Sequence, residues 1–297
     1  MKHFLSIADL SRQQVEHLLQ RALFFKQKQQ FPVYPHHALA NLFYENSTRT
    51  RISFELAAKN LSMEVVNVDL STSSETKGEG IDDTIQTLAA MGITLFAIRH
   101  SEDGLPEHLA KGVNVGVHVI NAGDGKHAHP SQAMLDLMTI VEKKPNLASL
   151  KIVIVGDIRH SRVANSLQCL FKLMQVGELV LVAPKPWQPE IVHYGHVTAD
   201  LSEALQGADV VIGLRVQKER LAGHEQLDLA QYRAQFALTE DAVAMAKPDA
   251  IIMHPGPINR GIEIDTAVAD GLQSVILTQV QNGVYMRMAI LESMVLN

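Results

Sequence analysis

The sequence contains 297 residues, of which 46% are hydrophobic, and its formal net charge is −6 at pH 7. This length and apolar content suffice for two domains with substantial cores, whereas the negative charge argues against a general nucleic-acid-binding surface. The single cysteine, Cys169, excludes an intrachain disulfide and favours a reducing compartment.

Short apolar runs alternate with segments of helical periodicity along the chain, which predicts parallel β-sheets covered by helices. The predicted strands of the first half are residues 41–43, 64–68, 95–98 and 117–121, and those of the second half are residues 151–155, 179–182, 210–213 and 251–253. Each half is therefore expected to contain four strands. Of the predicted helices between them, one carries an apolar stripe formed by Val163, Leu167, Leu170 and Met174.

The pattern predicts an α/β fold with two open, Rossmann-like parallel-sheet domains joined by two long helices. One helix bridges the halves after Pro130, and the other ends the chain. We expect the first domain to comprise residues 1–130 with 282–297, and the second to comprise residues 131–281. Ligands of such sheets bind beyond the carboxyl ends of the strands, so the loops at those ends are the candidate sites.

The first such loop reads Ser47-Thr48-Arg49-Thr50-Arg51 and opens a predicted helix. Acidic residues are favoured at a helix N-terminus, because unpaired N–H groups and the macrodipole make it positive. This turn instead holds two arginines and no carboxylate. It predicts an anion site, most simply for phosphate, although a plain N-cap with solvated arginines is the alternative.

Two further cations follow. Lys77 lies in a polar segment whose composition favours a mobile surface loop, but it could reach an anion when the loop closes. Arg99 directly follows the strand predicted at residues 95–98, which is compatible with a ligand role or with solvation.

The segment that joins residue 121 to the bridging helix contains His129 immediately before Pro130, and Gln132 follows one turn on. A neutral histidine can donate to a carbonyl oxygen, and a glutamine can bind an amide. His127 and His129 are poor candidates for metal ligands, because neither a nearby cysteine nor a helical histidine pair accompanies them.

The strand at residues 151–155 ends at Gly156, in a turn that resembles a nucleotide-binding entry. Only one of the three glycines of G-x-G-x-x-G is present and no P-loop motif occurs, so a dinucleotide or ATP site is disfavoured. Arg162, at the start of the next helix, again places positive charge where carboxylates are preferred.

Arg215 and Gln217 follow the strand at residues 210–213. A guanidinium group can bind a carboxylate through two hydrogen bonds, and the glutamine can assist; a solvated charged loop is the alternative. After the last strand, two prolines stiffen the turn around Gly256 and Pro257, so that backbone carbonyls can face an amine. A simple chain reversal is equally consistent with that turn.

Together these segments resemble the aspartate/ornithine carbamoyltransferase family over the full chain. The S-T-R-T sequence at residues 47–50 matches the carbamoyl-phosphate signature of the family, and H-P-S-Q at residues 129–132 matches its H-P-x-Q segment. Residues 215–220 and 254–257 resemble the aspartate-specific members. The H-C-L-P and S-M-G segments expected of ornithine enzymes do not occur in the sequence.

The resemblance implies a role for each candidate residue. The phosphate of carbamoyl phosphate would be bound by Ser47, Thr48, Arg49 and Thr50, and its carbonyl oxygen would be surrounded by Arg49, Thr50, Arg99 and His129. The carbamoyl amide would be held by Gln132 and by the backbone carbonyls of Gly256 and Pro257. The carboxylates of L-aspartate would be bound by Arg162, Arg215 and Gln217. Ser73 and Lys77 would come from the neighbouring subunit, with Lys77 serving both substrates.

The implied reaction transfers the carbamoyl group to the amine of L-aspartate, giving N-carbamoyl-L-aspartate and phosphate in pyrimidine biosynthesis, without a metal or organic cofactor. The implied assembly is a homotrimer with shared active sites, which regulatory or dihydroorotase-like chains could join. Two alternatives are transfer to another amine, such as ornithine, and a non-catalytic scaffold. The scaffold is disfavoured because Lys77 and His129 are both present.

Neither a signal-peptide core near Met1 nor an apolar stretch of the ~20 residues that span a membrane is present in the sequence. We therefore expect a cytoplasmic protein with no membrane or nucleic-acid partner.

Overall fold

The computed structural model describes residues 1–69, 78–217 and 228–296, and the chain divides into two compact units. Unit 1 comprises Met1–Met138 and Val280–Asn297, and unit 2 comprises Thr139–Gln279. Both divisions fall within long helices, α5 (Pro130–Lys143) and α11 (Ile276–Val295). The domain limits at residues 130 and 281 stay a prediction. Within the described ranges, no helix has the length and apolarity needed to cross a membrane.

Unit 1 is built on a four-stranded parallel sheet with the order β2-β1-β3-β4. Its strands are β1 (Ala38–Phe43), β2 (Glu64–Asn67), β3 (Leu95–His100) and β4 (His118–Asp124). Its helices are α1 (Arg12–Lys28), α2 (Thr48–Asn60), α3 (Ile81–Ala90) and α4 (Leu105–Gly112), together with the adjoining parts of α5 and α11. Leu42, Phe96 and Val119 are fully buried in its core, which is formed by every second residue of the strands.

Unit 2 is built on a five-stranded parallel sheet with the order β7-β6-β5-β8-β9. Its strands are β5 (Lys151–Val155), β6 (Glu178–Val182), β7 (His196–Thr198), β8 (Val210–Gly213) and β9 (Ile251–Met253). The helices that lie wholly within it are α6 (Arg162–Met174), α7 (Leu201–Leu205), α8 (Leu229–Phe236), α9 (Glu240–Val243) and α10 (Thr266–Ala269). The predicted stripe on α6 is buried at Leu167, Leu170 and Met174.

The α/β fold with two parallel sheets is confirmed, but the prediction of four strands in the second half is wrong. The additional strand is β7, which pairs only with β6 at the edge of the sheet as the structure describes it. It has three residues, none of them fully buried, so it lacks the apolar run by which the other strands were identified. In unit 1, β3 and β4 extend past their predicted ends to include Arg99 and Asp124.

Candidate functional site

The carboxyl ends of three strands of unit 1 meet at one edge of its sheet. Phe43 of β1 pairs with Arg99 of β3, and Ile98 pairs with Asn121 of β4, all in parallel. These strand ends, with the loops and helix starts that follow them, carry the sequence-predicted residues Ser47, Thr48, Arg49, Thr50, Arg99, His129 and Gln132. Parallel pairing thus brings together candidates that are separated by up to 85 positions in the chain.

The first turn of α2 differs from the starts of the other serine-capped α-helices. Ser11 accepts a hydrogen bond from the backbone of α1, and Ser161 does the same for α6. Ser47 also occupies an N-cap position, yet its side chain makes no capping hydrogen bond, and no acidic residue lies in the first turn. The Arg49 side chain is exposed while Thr50 is buried. A hydroxyl, a guanidinium group and helix N–H groups are thus available to an anion.

Arg99 is a cation held at the end of β3. Its side chain is only 13% exposed, its Nε lies 3.4 Å from Glu45 Oε2, and its Nη1 donates to the Ala122 carbonyl over 3.3 Å. These partners fix the guanidinium group at the sheet edge, and a cation fixed in this way can stabilise negative charge without reorganising.

His129 and Gln132 lie at the start of α5 and are both nearly buried. The His129 carbonyl accepts hydrogen bonds from the backbone N–H groups of Gln132 and Ala133, over 3.1 and 3.2 Å. Pro130 is the first helical residue, a position where its missing N–H has no intrahelical partner to lose. The start of the helix therefore fixes the backbone of both candidate side chains.

Asp124 organises the loop before His129, a role that the sequence reasoning missed. Its buried carboxylate accepts hydrogen bonds from the Gly104 and Ala128 backbones and from the side chains of Asn121 and His127, over 2.8 to 2.9 Å. Burial opposes ionisation, but the hydrogen bonds outweigh it and lower the pKa of Asp124. The same contact raises the pKa of His127. His127 is thus held by a hydrogen bond to Asp124. The Asp-Gly sequence that begins this turn is typical of turns, and it could have indicated the role of Asp124.

Unit 2 repeats this arrangement at the carboxyl edge of its own sheet. Val155 of β5 pairs with Gly213 of β8, and Ile212 pairs with Met253 of β9. The segments that leave these three strands carry the predicted residues Arg162, Arg215, Gln217, Gly256 and Pro257.

Arg162 is a buried cation at a helix N-terminus. It is the first residue of α6, behind the N-cap Ser161, and is 6% exposed. Neither the helix dipole nor burial favours a positive charge there. This unfavourable placement makes Arg162 a candidate for binding an anion.

Gly156 has a structural role in the turn that precedes α6. Its φ is +137°, and a Cβ at this position would lie 2.9 Å from the Leu214 carbonyl oxygen. The glycine thus permits the close approach of the β5–α6 turn to the segment after β8.

The segment after β8 is tied to both neighbouring loops. Gln217 Nε2 donates to the His160 carbonyl over 3.4 Å, and Asn259 Nδ2 donates to the Val216 carbonyl over 3.3 Å. His160 is itself buried against Asp157, with Nδ1 2.9 Å from the carboxylate. Arg215 is half-buried beside these anchored residues.

A buried histidine and glutamate support the turn that contains Gly256 and Pro257. The Gly256 N–H donates to His254 Nδ1 over 2.9 Å, which leaves Nε2 to face Glu263 Oε1 at 3.5 Å. Glu263 also accepts from the Asn259 backbone over 2.5 Å. Sequence reasoning missed Glu263, because it lies nine positions after His254 and belongs to no motif that was identified.

Two predicted residues, Ser73 and Lys77, lie outside the described residues. Among the residues that are described, no group of three or more histidine, cysteine, aspartate or glutamate side chains is arranged to hold a metal ion.

Comparison with known families matches both parts of the chain. Residues 2–142 match the model of the aspartate/ornithine carbamoyltransferase, carbamoyl-P binding domain. Residues 148–294 match the Asp/Orn binding domain of the same family.

Individual relatives match over nearly the whole chain. The aspartate carbamoyltransferase catalytic subunit of Legionella pneumophila (strain Corby) is 64% identical over 295 residues, which cover 99% of each chain. That of Coxiella burnetii (strain Dugway 5J108-111) is 49% identical, covering 98% of this chain and 95% of the relative.

Solved structures of the same family are similar to this chain over nearly its whole length. Aspartate transcarbamoylase from Trypanosoma cruzi, in complex with carbamoyl aspartate and phosphate, has a TM-score of 0.89 at 30% identity, covering 98% of this chain and 95% of that chain. Ornithine carbamoyltransferase from Pyrococcus furiosus has a TM-score of 0.86 at 28% identity, covering 98% and 96%.

Proposed function

The chain belongs to the aspartate/ornithine carbamoyltransferase family, and from this membership we propose that it transfers the carbamoyl group of carbamoyl phosphate to L-aspartate. The products are N-carbamoyl-L-aspartate and phosphate, which places the reaction early in pyrimidine biosynthesis. The α2 N-terminus carries the proposal, because an uncapped serine and an arginine stand where a helix start normally holds an acidic residue. The 64% identity to an aspartate carbamoyltransferase favours aspartate as the acceptor.

We assign the phosphate of carbamoyl phosphate to Ser47, Thr48, Arg49 and Thr50. The unpaired N–H groups at the start of α2 add donors, and the helix dipole adds favourable potential. Ser73 and Lys77 complete this end of the site from a neighbouring subunit. Family membership supports these two assignments.

The carbonyl oxygen of the substrate is assigned to Arg49, Thr50, Arg99 and His129. Negative charge develops on this oxygen when the amine attacks the carbamoyl carbon and a tetrahedral intermediate forms. Donors that are already fixed in place stabilise such charge without reorganising. The anchoring of Arg99 by Glu45 and Ala122 supports this role.

The carbamoyl amide is assigned to Gln132 and to the carbonyls of Gly256 and Pro257. L-Aspartate is assigned to Arg162, Arg215 and Gln217, with Lys77 contributing to both substrates. Two guanidinium groups suit two carboxylates, because each can form paired hydrogen bonds with one.

In the proposed reaction, the uncharged amine of aspartate forms a bond to the carbamoyl carbon. The carbon–oxygen bond to phosphate then breaks, and phosphate leaves with the proton that the amine gives up. The cations stabilise both the oxyanion and the leaving group, and no covalent enzyme intermediate is required. Holding both substrates in the reactive orientation supplies a further part of the acceleration.

We propose that the chain acts as a homotrimer in the cytoplasm, with active sites shared between subunits. Two exposed apolar side chains one turn apart on α2, Ile52 and Leu56, support association, because they are 43% and 46% exposed. Regulatory or dihydroorotase-like chains are candidates for a larger assembly.

The activity is tested with purified protein and ¹³C-labelled carbamoyl phosphate, supplied with aspartate, with ornithine or with no amine. We expect labelled N-carbamoyl-L-aspartate and an equal amount of phosphate with aspartate alone. Labelled citrulline would instead support the ornithine alternative. Absence of product with either amine, in protein that binds carbamoyl phosphate, would support the scaffold alternative.

A further inference from the structure

Gln132 and Asp136 form a buried pair on one face of α5. They are four residues apart, which places them one helical turn from each other. Gln132 is 8% exposed and Asp136 is 0% exposed, and Gln132 Nε2 donates to Asp136 Oδ1 over 2.9 Å.

This hydrogen bond determines which end of the Gln132 amide is available to a ligand. A carboxylate only accepts hydrogen bonds, so the amide must turn its Nε2 group, rather than its oxygen, toward Asp136. The opposite orientation would set two acceptors against each other in a buried site, which is costly. Gln132 Oε1 therefore remains to accept from a ligand that donates, as the –NH₂ of a carbamoyl group does.

A buried arginine from the other end of the chain accompanies Asp136. Arg287 of α11 is 3% exposed, and burial lowers its pKa to about 9 against the attraction of Asp136, which leaves it protonated at neutral pH. Its Nη1 donates to the Gly283 carbonyl over 3.2 Å, and its Nη2 donates to Ser131 Oγ over 3.3 Å. Arg287 thus supplies a positive charge near Asp136 and also holds the residue that precedes Gln132.

The same guanidinium group reaches the helix that begins the proposed phosphate site. Its Cζ lies 5.0 Å from the centroid of the Phe54 ring, a residue of α2 that is fully buried. Such a cation–π contact is attractive and stronger when it is shielded from water. One buried side chain therefore contacts both α2 and the start of α5.

We propose that Asp136 is a positioning residue that fixes the orientation of the Gln132 amide, with Arg287 as its counter-charge. The proposal rests on the assignment of the carbamoyl amide to Gln132. Asp136 and Arg287 are 0% and 3% exposed, so both act on a ligand through Gln132.

The test is the isosteric variant Asp136→Asn. Its carboxamide can turn an oxygen toward the Arg287 cation and a donor toward Gln132, which would reverse the Gln132 amide and set its Nε2 against the carbamoyl –NH₂. Calorimetry should show carbamoyl phosphate binding at least tenfold more weakly than to the wild type. Inorganic phosphate, which has no amide, should bind within twofold of the wild type. The matched control is Glu142→Gln on the same helix, which should change neither affinity.

Equal weakening of both ligands, or unchanged binding of carbamoyl phosphate, would overturn the proposal. If Asp136→Asn does not fold, Arg287→Lys is measured in the same way. This variant keeps the positive charge but loses the planar guanidinium group. Carbamoyl phosphate should therefore bind at least threefold more weakly, while the affinity for phosphate stays unchanged. Any other pattern of affinities contradicts the proposal. Wild-type activity is assayed in parallel, so that failure of the proposed function is recognised separately.

Discussion

Arg21 and Glu292, 271 positions apart in the chain, are joined by two hydrogen bonds between α1 and α11. Arg21 Nε donates to Glu292 Oε2 over 2.5 Å, and Nη2 donates to Oε1 over 2.8 Å. The Tyr34 hydroxyl also donates to Oε1, over 3.0 Å. Glu292 is 3% exposed, so its charge depends on these partners for compensation. The pair therefore links the two chain ends within unit 1.

Arg21→Ala should destabilise unit 1 by about 2 kcal/mol or more, because it leaves the buried Glu292 carboxylate without its guanidinium partner. Urea unfolding measures the loss. The control is Arg12→Ala, which removes an exposed pair with Glu16 and should cost at most about 0.5 kcal/mol. Equal effects of the two variants would show that the Arg21–Glu292 pair contributes no more than an ordinary surface pair.

Arg49→Ala should lower kcat at least about a hundredfold, the scale of removing one donor to a developing oxyanion. Steady-state rates with carbamoyl phosphate and aspartate measure the effect. Arg51→Ala is the matched control, because Arg51 is also an exposed arginine in the first turn of α2 and is not assigned to the site. Equal kcat values for Arg49→Ala and Arg51→Ala would show that Arg49 has no role in catalysis.

Mixed subunits test the sharing of sites. Lys77→Ala and Arg49→Ala chains should each be nearly inactive alone, because each lacks one half of a composite site. After chain exchange, some sites would combine a normal Lys77 with a normal Arg49, so activity should partly return. Mass measurement of the mixed oligomer verifies that exchange took place. No recovery in verified mixed trimers would contradict sharing.

His3 should make unit 1 less stable in mild acid. Burial, with Lys2 and His118 nearby, lowers the pKa of His3 from 6.5 to about 4. Below pH 6.5 the unfolded chain therefore binds a proton here that the folded chain takes up only near pH 4, so stability falls as the pH drops through this window. His3→Asn removes the titration and keeps an acceptor for the Val119 N–H that His3 Nδ1 now binds. Urea midpoints from pH 7 to 4.5 should fall less in the variant; parallel curves would exclude His3.

Strands with apolar runs could be predicted well from the sequence. The limits of β5, β8 and β9 agree with the predicted residues 151–155, 210–213 and 251–253. Each of these strands lies inside the sheet or is buried along its length, so its sequence is apolar apart from Lys151 at the start of β5. Edge strand β7 could not be predicted in this way, because its residues are exposed or half-buried.

Arg49 and Arg162 stood out as candidates because each lies at the start of a predicted helix, where a positive charge is unexpected. The buried residues that hold the candidate site in place could not be found from such a local pattern. Arg287 contacts Ser131 across 156 positions, and Asp136 resembles any polar residue of an amphipathic helix. Only the fold brings such buried charges together, so no local pattern indicates them.

Competition between two amines measures directly whether the enzyme transfers the carbamoyl group to aspartate. Equal concentrations of aspartate and ornithine are offered with limiting labelled carbamoyl phosphate, and the two products are counted. We expect nearly all of the label in N-carbamoyl-L-aspartate, with one phosphate released per product. Label found mainly in citrulline, or in neither product, would contradict it.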